Sequence, residues 1–312
     1  MVVSLHGTAM PVQLPFLGEI AALGTAACWT VSAVSFEAAS KRAGPAGVNI
    51  IRLALAVVFL GLFNLATRGQ IVPTDAAPRQ WLWLCISGII GFTMGDLFLF
   101  EAFVRIGSRV SMLVMALAPA LTAVMGFFVL GEVLSIQAVI GMALTMAGIA
   151  LVVLKPEKGA LKLNHSFKGL LMAFGGALGQ AGGLILSKIG MRGDSEASYP
   201  ATSSAQIRAM AGVVGFAVLY TAMRSWPKVI SAAKDPKGMA FTSAGAFAGP
   251  FVGVSLSLLA VANTDAGVAS SLMSITPVLI IPVAFFAFKE RIRPPEIVGA
   301  ALAVGGVVCM FL

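Results

Sequence analysis

The sequence predicts an all-α membrane protein of ten transmembrane helices, arranged as two inverted five-helix repeats. Three observations predict it. Only 11% of the residues are charged while 58% are apolar. Apolar blocks of bilayer-spanning length fill about two thirds of the chain. The second half also repeats the first in register. Water-soluble domains carry about 25% charged residues, so the composition excludes a soluble enzyme, a disordered chain and a nucleic-acid module. A mean hydropathy of +0.95 agrees.

The spans fall at 17–38, 47–66, 81–103, 110–130 and 136–154, then at 169–189, 203–223, 239–262, 267–287 and 295–312. Backbone N–H and C=O groups cannot remain unpaired in hydrocarbon, which leaves helices or closed barrels. Long apolar runs without strict alternation choose helices. The first fifteen residues lack the basic start and small-residue cleavage site of a secretory signal, so the first block is expected as a helix. The longest connection is the basic stretch 155–168, which separates residues 1–154 from 169–312 as two repeat units.

Sliding the chain by 158 positions aligns 81–154 with 239–312 without a gap. Pro119 then matches Pro277, Glu132 matches Glu290, and Gly91, Gly95, Gly141 and Gly148 match Gly249, Gly253, Gly299 and Gly306. Earlier in each half Gly18 and Gly24 match Gly169 and Gly175, and Arg52 corresponds to Arg208. An odd number of spans per unit turns the second upside down. Secondary transporters recurrently use such inverted repeats, with substrate near the midplane between them; a duplicated structural protein is the alternative. Gly175/Gly179/Gly183 and Gly245/Gly249/Gly253 allow close helix approach. Such stripes serve packing by default, and a dimer face on the fifth or tenth span is the further alternative to a monomer.

Sorting the connections by alternation places 16 Lys and Arg on one face and 5 on the face carrying both termini. The positive-inside rule makes the richer face cytoplasmic and the termini extracytoplasmic. Cys28, Cys85 and Cys309 have no metal-binding or redox spacing and read as small apolar filler. His6 and His165 lie outside the spans, no nucleophile–His–acid set appears, and no GxxxxGK[ST] loop exists for nucleotide hydrolysis. No cofactor or metal is expected.

Gly95-Asp96, Ala102, the Ser108–Met115 stretch, Pro119, Gly131-Glu132, Gln137, Gly141 and Gly148 give the first half a pattern that resembles the EamA-type transporters of the drug/metabolite transporter superfamily. Pro277, Glu290, Gly299 and Gly306 repeat it, and Arg52 resembles the Arg that opens that family's second helix. The resemblance implies a ten-helix bundle in which spans 1–4 and 6–9 surround a cavity while spans 5 and 10 brace the outside. It implies a small-molecule substrate: members move amino acids, other metabolites or drugs, often outward, and one branch exports aromatic amino acids. Relatives are commonly described with cytoplasmic termini, against the charge count here.

Charge inside a bilayer costs about 2.5–3.5 kcal/mol on insertion scales, so each intramembrane ion demands a reason. Asp96 lies about 10 Å from the basic face at 1.5 Å per residue, with Glu37, Arg52 and Glu101 nearer that face. Asp96 either changes protonation or partner during a transport cycle, coupling it to protons, or forms a fixed ion pair that orders the first three spans. Pro119 and Pro277 fall in mid-span, where each removes a hydrogen bond and favours a kink; Pro250 adds one where the first copy has Phe92. These kinks suit a gate, or serve packing alone. Trp29 and Gln180 occupy corresponding midpoints as candidate substrate contacts, with apolar packing as the alternative. Ser255, Ser274 and Thr276 belong to a hydroxyl-rich stretch that lines a polar path or bonds back to its own backbone. Glu132 and Glu290 read as structural, each favouring the N-terminus of the helix that follows it.

The expectation is therefore an exporter of amino acids or related metabolites in the bacterial inner membrane. A cationic multidrug extruder using Asp96 is the alternative, uptake of an anionic metabolite at Arg52 and Arg208 comes third, and an enzyme on lipid-linked substrates is the alternative of another class.

Overall fold

Apolar blocks leave the backbone one economical way to pair its polar groups, and every regular element among the described residues is helical. The computed structural model describes residues 15–115, 117–153, 166–192, 198–276 and 278–280, together with helical positions 283, 294, 298, 299, 301, 302, 305, 306 and 309. Pro277, Glu290, His6, His165 and most of the basic stretch 155–168 lie outside the described residues.

The first half runs α1 (Leu17–Ala43), α2 (Pro45–Arg68), α3 (Pro78–Gly88), a π-helix π1 (Ile89–Gly95), α4 (Asp96–Met115), α5 (Ala118–Leu130) and α6 (Ile136–Val153). The second runs α7 (Phe167–Met191), α8 (Ala201–Ala222), a short α9 (Trp226–Ala233), α10 (Pro236–Ala246), a second π-helix π2 (Phe247–Gly253), α11 (Val254–Asn263) and α12 (Ala266–Met273). The 158-residue shift carries α3 onto α10, π1 onto π2 and the start of α4 onto the start of α11, boundary for boundary. The repeat therefore extends to an irregularity that the residue pairs alone did not reveal: a wide i→i+5 turn in the middle of each long rod.

Among the described residues six helical stretches are long and apolar enough to cross a membrane: Leu17–Ala43, Pro45–Arg68, Pro78–Ser108, Phe167–Met191, Ala201–Ala222 and Pro236–Asn263. Ala118–Leu130, Ile136–Gly148 and Ala266–Ile280 are shorter apolar helices. The expected span 110–130 is interrupted: α4 ends at Met115, Leu117 N–H donates to Val114 O at 3.0 Å, and α5 begins beyond it. Pro119 is consequently a first-turn residue of α5 rather than a mid-helix kink. A proline is well accommodated there because the first-turn N–H has no intrahelical acceptor. Upstream, Gly107 (φ 77°) turns the chain inside α4, a left-handed backbone that glycine adopts without steric cost.

Each half wraps its first helix around the other half's long rod. Along α1, Gly18 approaches Thr264, Gly24 approaches Leu256, Ser32 approaches Gly249 and Phe36 approaches Gly245, so α1 runs antiparallel to α10–π2–α11. Along α7, Gly169 approaches Ile106, Gly179 approaches Gly95, Gly183 approaches Gly91 and Gly190 approaches Leu84, antiparallel to α3–π1–α4. Glu37, near the end of α1, meets Ser108, close to the Ile106 that packs on the start of α7. The two first helices therefore point in opposite directions. Small side chains make this possible: Ala22, Ala26, Ala39, Ala177, Ala181 and Ala260 are fully buried. The outside is apolar as well, with Phe128 78% and Val218 67% exposed. On that periphery Gly306 packs on Gly141 and Thr145 of α6.

Both rods break and restart at corresponding places, and both restarts use a carboxylate. Ser108 N–H donates to Glu37 Oε2 at 3.1 Å in the first half. In the second, Ala266 N–H donates to Glu132 Oε2 at 2.9 Å, and Lys188 holds Glu132 at 2.7 Å. Glu132 thus caps α12 of the opposite half instead of its own following helix. An anion at a helix N-terminus satisfies free N–H groups and complements the dipole.

Candidate functional site

Between the halves lies a cavity of about 80 Å³, bounded by Trp29, Ser32 and Phe36 of α1, Arg52 of α2, Phe92 of π1, Asp96, Phe100 and Phe103 of α4, Gln180 of α7 and Pro250 of π2. A smaller space of about 20 Å³ adjoins it and shares Trp29, Met112, Met115 and Gln180, with Ser274 at its far wall. Both halves contribute walls. The lining is mainly apolar, with five aromatic rings and two methionines, so it suits an apolar body, and its polar groups are Ser32, Arg52, Asp96 and Gln180.

The charged pair among them sits at the end of π1. The wide turn delivers Asp96 as the first residue of α4, facing α2, where its carboxylate pairs with the Arg52 guanidinium. Asn49 Oδ1 accepts from Arg52 Nε at 3.3 Å. The Arg52 guanidinium carbon stands 4.7 Å from the Phe100 ring centre, 5.4 Å from Phe36 and 5.7 Å from Phe92. Aromatic faces and a carboxylate together make a buried guanidinium tolerable. Arg208, its counterpart on α8, is only 5% exposed and stands 4.9 Å from the same Phe92 ring. The charge count assigns Arg208 to a face; the structure instead buries it between π1 and α7, beside Gly91 and Gly183.

Of the residues singled out from sequence, Trp29, Arg52, Asp96, Gln180 and Pro250 meet at the larger cavity and Ser274 at its annex. Glu37 and Glu101 stand apart from it. Glu37 bonds Ser108 and pairs with Lys41 at 2.5 Å, and Glu101 pairs with Arg105 at 3.5 Å. The hydroxyls divide. Ser255 donates to Phe251 O at 2.6 Å, Ser274 to Ser271 O at 2.8 Å and Thr276 to Met273 O at 2.8 Å. Each satisfies its own helix, and of the three only Ser274 lines the cavity or its annex. Sequence reasoning missed Phe36, Phe92, Phe100, Met112 and Met115, since an aromatic or Met in an apolar block gives no sign of which way it faces.

A polar lattice bridges the halves at the opposite end. Arg68 pairs with Asp75 at 2.6 Å and also reaches Ser203, and Tyr199 donates to Asp75 at 2.9 Å. Asn64 donates to Gln206 at 2.8 Å, and Gln206 donates to Ile71 O at 2.7 Å. Burial alone would raise the Asp75 carboxyl, but the bonds from Arg68 and Tyr199 outweigh it and hold it below the usual carboxylate range. No group of three or more His, Cys, Asp or Glu able to hold a metal occurs among the described residues.

Long apolar helices with an aromatic, charge-bearing cavity between two similar halves define a multi-pass helical membrane protein. The profile of the EamA-like transporter family matches residues 16–154 and again 167–312, and the chain belongs to that family. A crystal structure with 19% identity superposes with a TM-score of 0.67, covering 93% of this chain and 95% of the other. At that identity the likeness shows a shared fold. A search of curated proteins returns no match.

Proposed function

We propose that the protein is a secondary active transporter, working by alternating access, that exports small metabolites across a bacterial inner membrane, with amino acids and related compounds first. The observation that carries this is the cavity walled by both halves, with Trp29 and Gln180 from corresponding first helices facing it and the Arg52–Asp96 pair at its edge. In this reading the units are residues 1–154 and 169–312, joined by 155–168 and forming ten spans of inverted topology. The richer basic face is cytoplasmic and both termini lie outside. A reporter active only in the cytoplasm, fused at the C terminus, tests that orientation; strong signal there reverses it.

The cavity lies towards the end marked by Glu37 and Ser108, the cytoplasmic end on this orientation. The lattice of Arg68, Asp75, Tyr199 and Gln206 ties the halves at the other. Rocking the halves about the π segments would break that lattice and open the far side. Asp96 is the proposed coupling group, because an intramembrane carboxylate whose partner changes with state can bind and release a proton. The annex beside Ser274 and the wall at Pro250 border the space offered to a solute.

Counterflow in proteoliposomes with labelled amino acids tests the reading. Wild-type protein is expected to exchange label, faster with a proton gradient. Asp96→Asn is expected to lose at least tenfold in gradient-driven rate while keeping exchange. Full, pH-independent transport by Asp96→Asn would end the coupling role, and product formation without exchange would point to an enzyme.

A further inference from the structure

We infer that Arg208 is the docking group for an anionic headgroup of the transported solute, so that the site takes carboxylates or zwitterions with an apolar body in preference to organic cations. This rests on the transporter reading above and adds the charge of its substrate.

Arg208 and Arg52 are counterparts on α8 and α2, yet their surroundings differ. Arg52 has Asp96. The position corresponding to Asp96 in the second half is 254, and Val254 stands there, on the cavity wall. Arg208 consequently makes no ion pair among the described residues, and its Nε is buried without a hydrogen-bond partner. Asp96 acts on it only through space. A desolvated guanidinium ordinarily has acceptors for its N–H groups, so the orphaned Nε leaves this one able to take an anion.

The charge count at the centre gives the same answer. Two guanidinium groups and one carboxylate leave one positive charge beside a cavity whose other lining residues are uncharged, Phe, Trp and Met with Ser32, Gln180 and small or aliphatic residues. Phe92 stands between the cavity and Arg208, with Arg52 5.7 Å and Arg208 4.9 Å from its ring centre. Arg208 itself lies behind the cavity wall, so in this proposal the Phe92 ring turns aside to bring both guanidiniums to one headgroup, while the solute's body remains against Phe36, Phe100 and Trp29. A planar carboxylate suits the guanidinium fork. A cation entering the same space meets uncompensated positive charge, which sets the site against it.

Three probes of matched size test the charge preference on the purified full-length protein by thermal shift and equilibrium binding at pH 7: phenylacetate, phenylacetamide and phenethylamine. Phenylacetate is expected to bind at least tenfold more tightly than the amide, and the amine not measurably. Arg208→Gln is expected to bring phenylacetate down to the amide while leaving the amide unchanged. Val254→Asp, which supplies the carboxylate that the second half lacks, is expected to do the same and keeps the test available if Arg208→Gln does not fold. Equal binding of the three probes, stronger binding of the amine, or an intact carboxylate preference in either variant overturns the inference. Carboxylate preference without counterflow would remove the transporter reading and leave the docking group; counterflow without that preference would do the reverse.

Discussion

The two π segments are built alike and packed differently, and the difference locates the cavity. π1 meets α7 backbone to backbone: a Cβ added at Gly179 would lie 2.4 Å from Gly95 Cα, and one at Gly183 would lie 3.0 Å from Gly91 Cα. π2 meets α1 through side chains, because the positions corresponding to Gly179 and Gly183 are Cys28 and Ser32. One crossing is closed to everything larger than hydrogen. The other holds its helices apart by a side chain, and the cavity wall with Trp29, Ser32 and Pro250 lies there. The crossings occupy corresponding places in the two halves, and glycine makes one a tight bearing where Cys28 and Ser32 make the other part of a pocket.

The largest expected effect comes from making the tight crossing resemble the loose one. Gly179→Cys installs the α1 residue in α7, where the obstructing neighbour is backbone and cannot rotate away. A cost of about 3 kcal/mol is expected, seen as loss of the folded, monodisperse fraction after detergent extraction. Cys28→Gly, the reciprocal change, should cost no more than about 1 kcal/mol, the ordinary helix penalty of glycine. Equal sensitivity at both sites would show that the crossings are equivalent after all.

A medium effect is expected at the lattice joining the halves. The Asp75 carboxyl is held below its unfolded value, so its ionised form contributes stability above about pH 4, and that contribution is lost as pH falls through the depressed folded value. Partial exposure screens the pair, so Asp75→Asn should lower stability by about 0.5–1 kcal/mol at pH 7. The gap to wild type should close on acidification. A gap that widened towards low pH would contradict the assignment.

The smallest effect is expected at Pro250. π1 forms its wide turn with Phe92 at that position, so proline is not what makes π2. Pro250→Ala should leave the turn in place and change stability by less than about 1 kcal/mol, as reported by unchanged accessibility of a cysteine placed at Ser255. A collapse of π2 would make the proline causal.

Much of the helical layout was legible in the chain, and for a definite reason. Hydrocarbon imposes length and apolarity on every long helix, and duplication prints rare residues such as Pro119, Glu132 and Gly95 twice. Asp96 and Arg52 were legible because charge is expensive where they sit. The burial of Arg208 was not, since a cation a few residues inside a span reads the same as one at its rim. Pro119 signalled an irregularity in its span but not its form: hydropathy runs unbroken from 110 to 130, and only the restart of hydrogen bonding at Ala118 shows that Pro119 opens a helix. The cap that Glu132 gives to α12 is a contact across halves, beyond any local pattern. The π turns left no trace, because an i→i+5 turn needs no special residue.

Those wide turns also set the rotational phase of the two long rods. Each extra-wide loop accommodates residues that a regular helix would wind at 100° apiece. Removing one residue from the stretch 89–95 would let the rod wind regularly with the downstream phase nearly kept, whereas winding all seven residues regularly would rotate everything downstream by roughly that angle. Asp96 would swing off Arg52, and the aromatic wall at Phe100 and Phe103 would turn with it. Each wide turn thus keeps the pocket aimed while its rod carries about one residue more than a regular helix of the same phase.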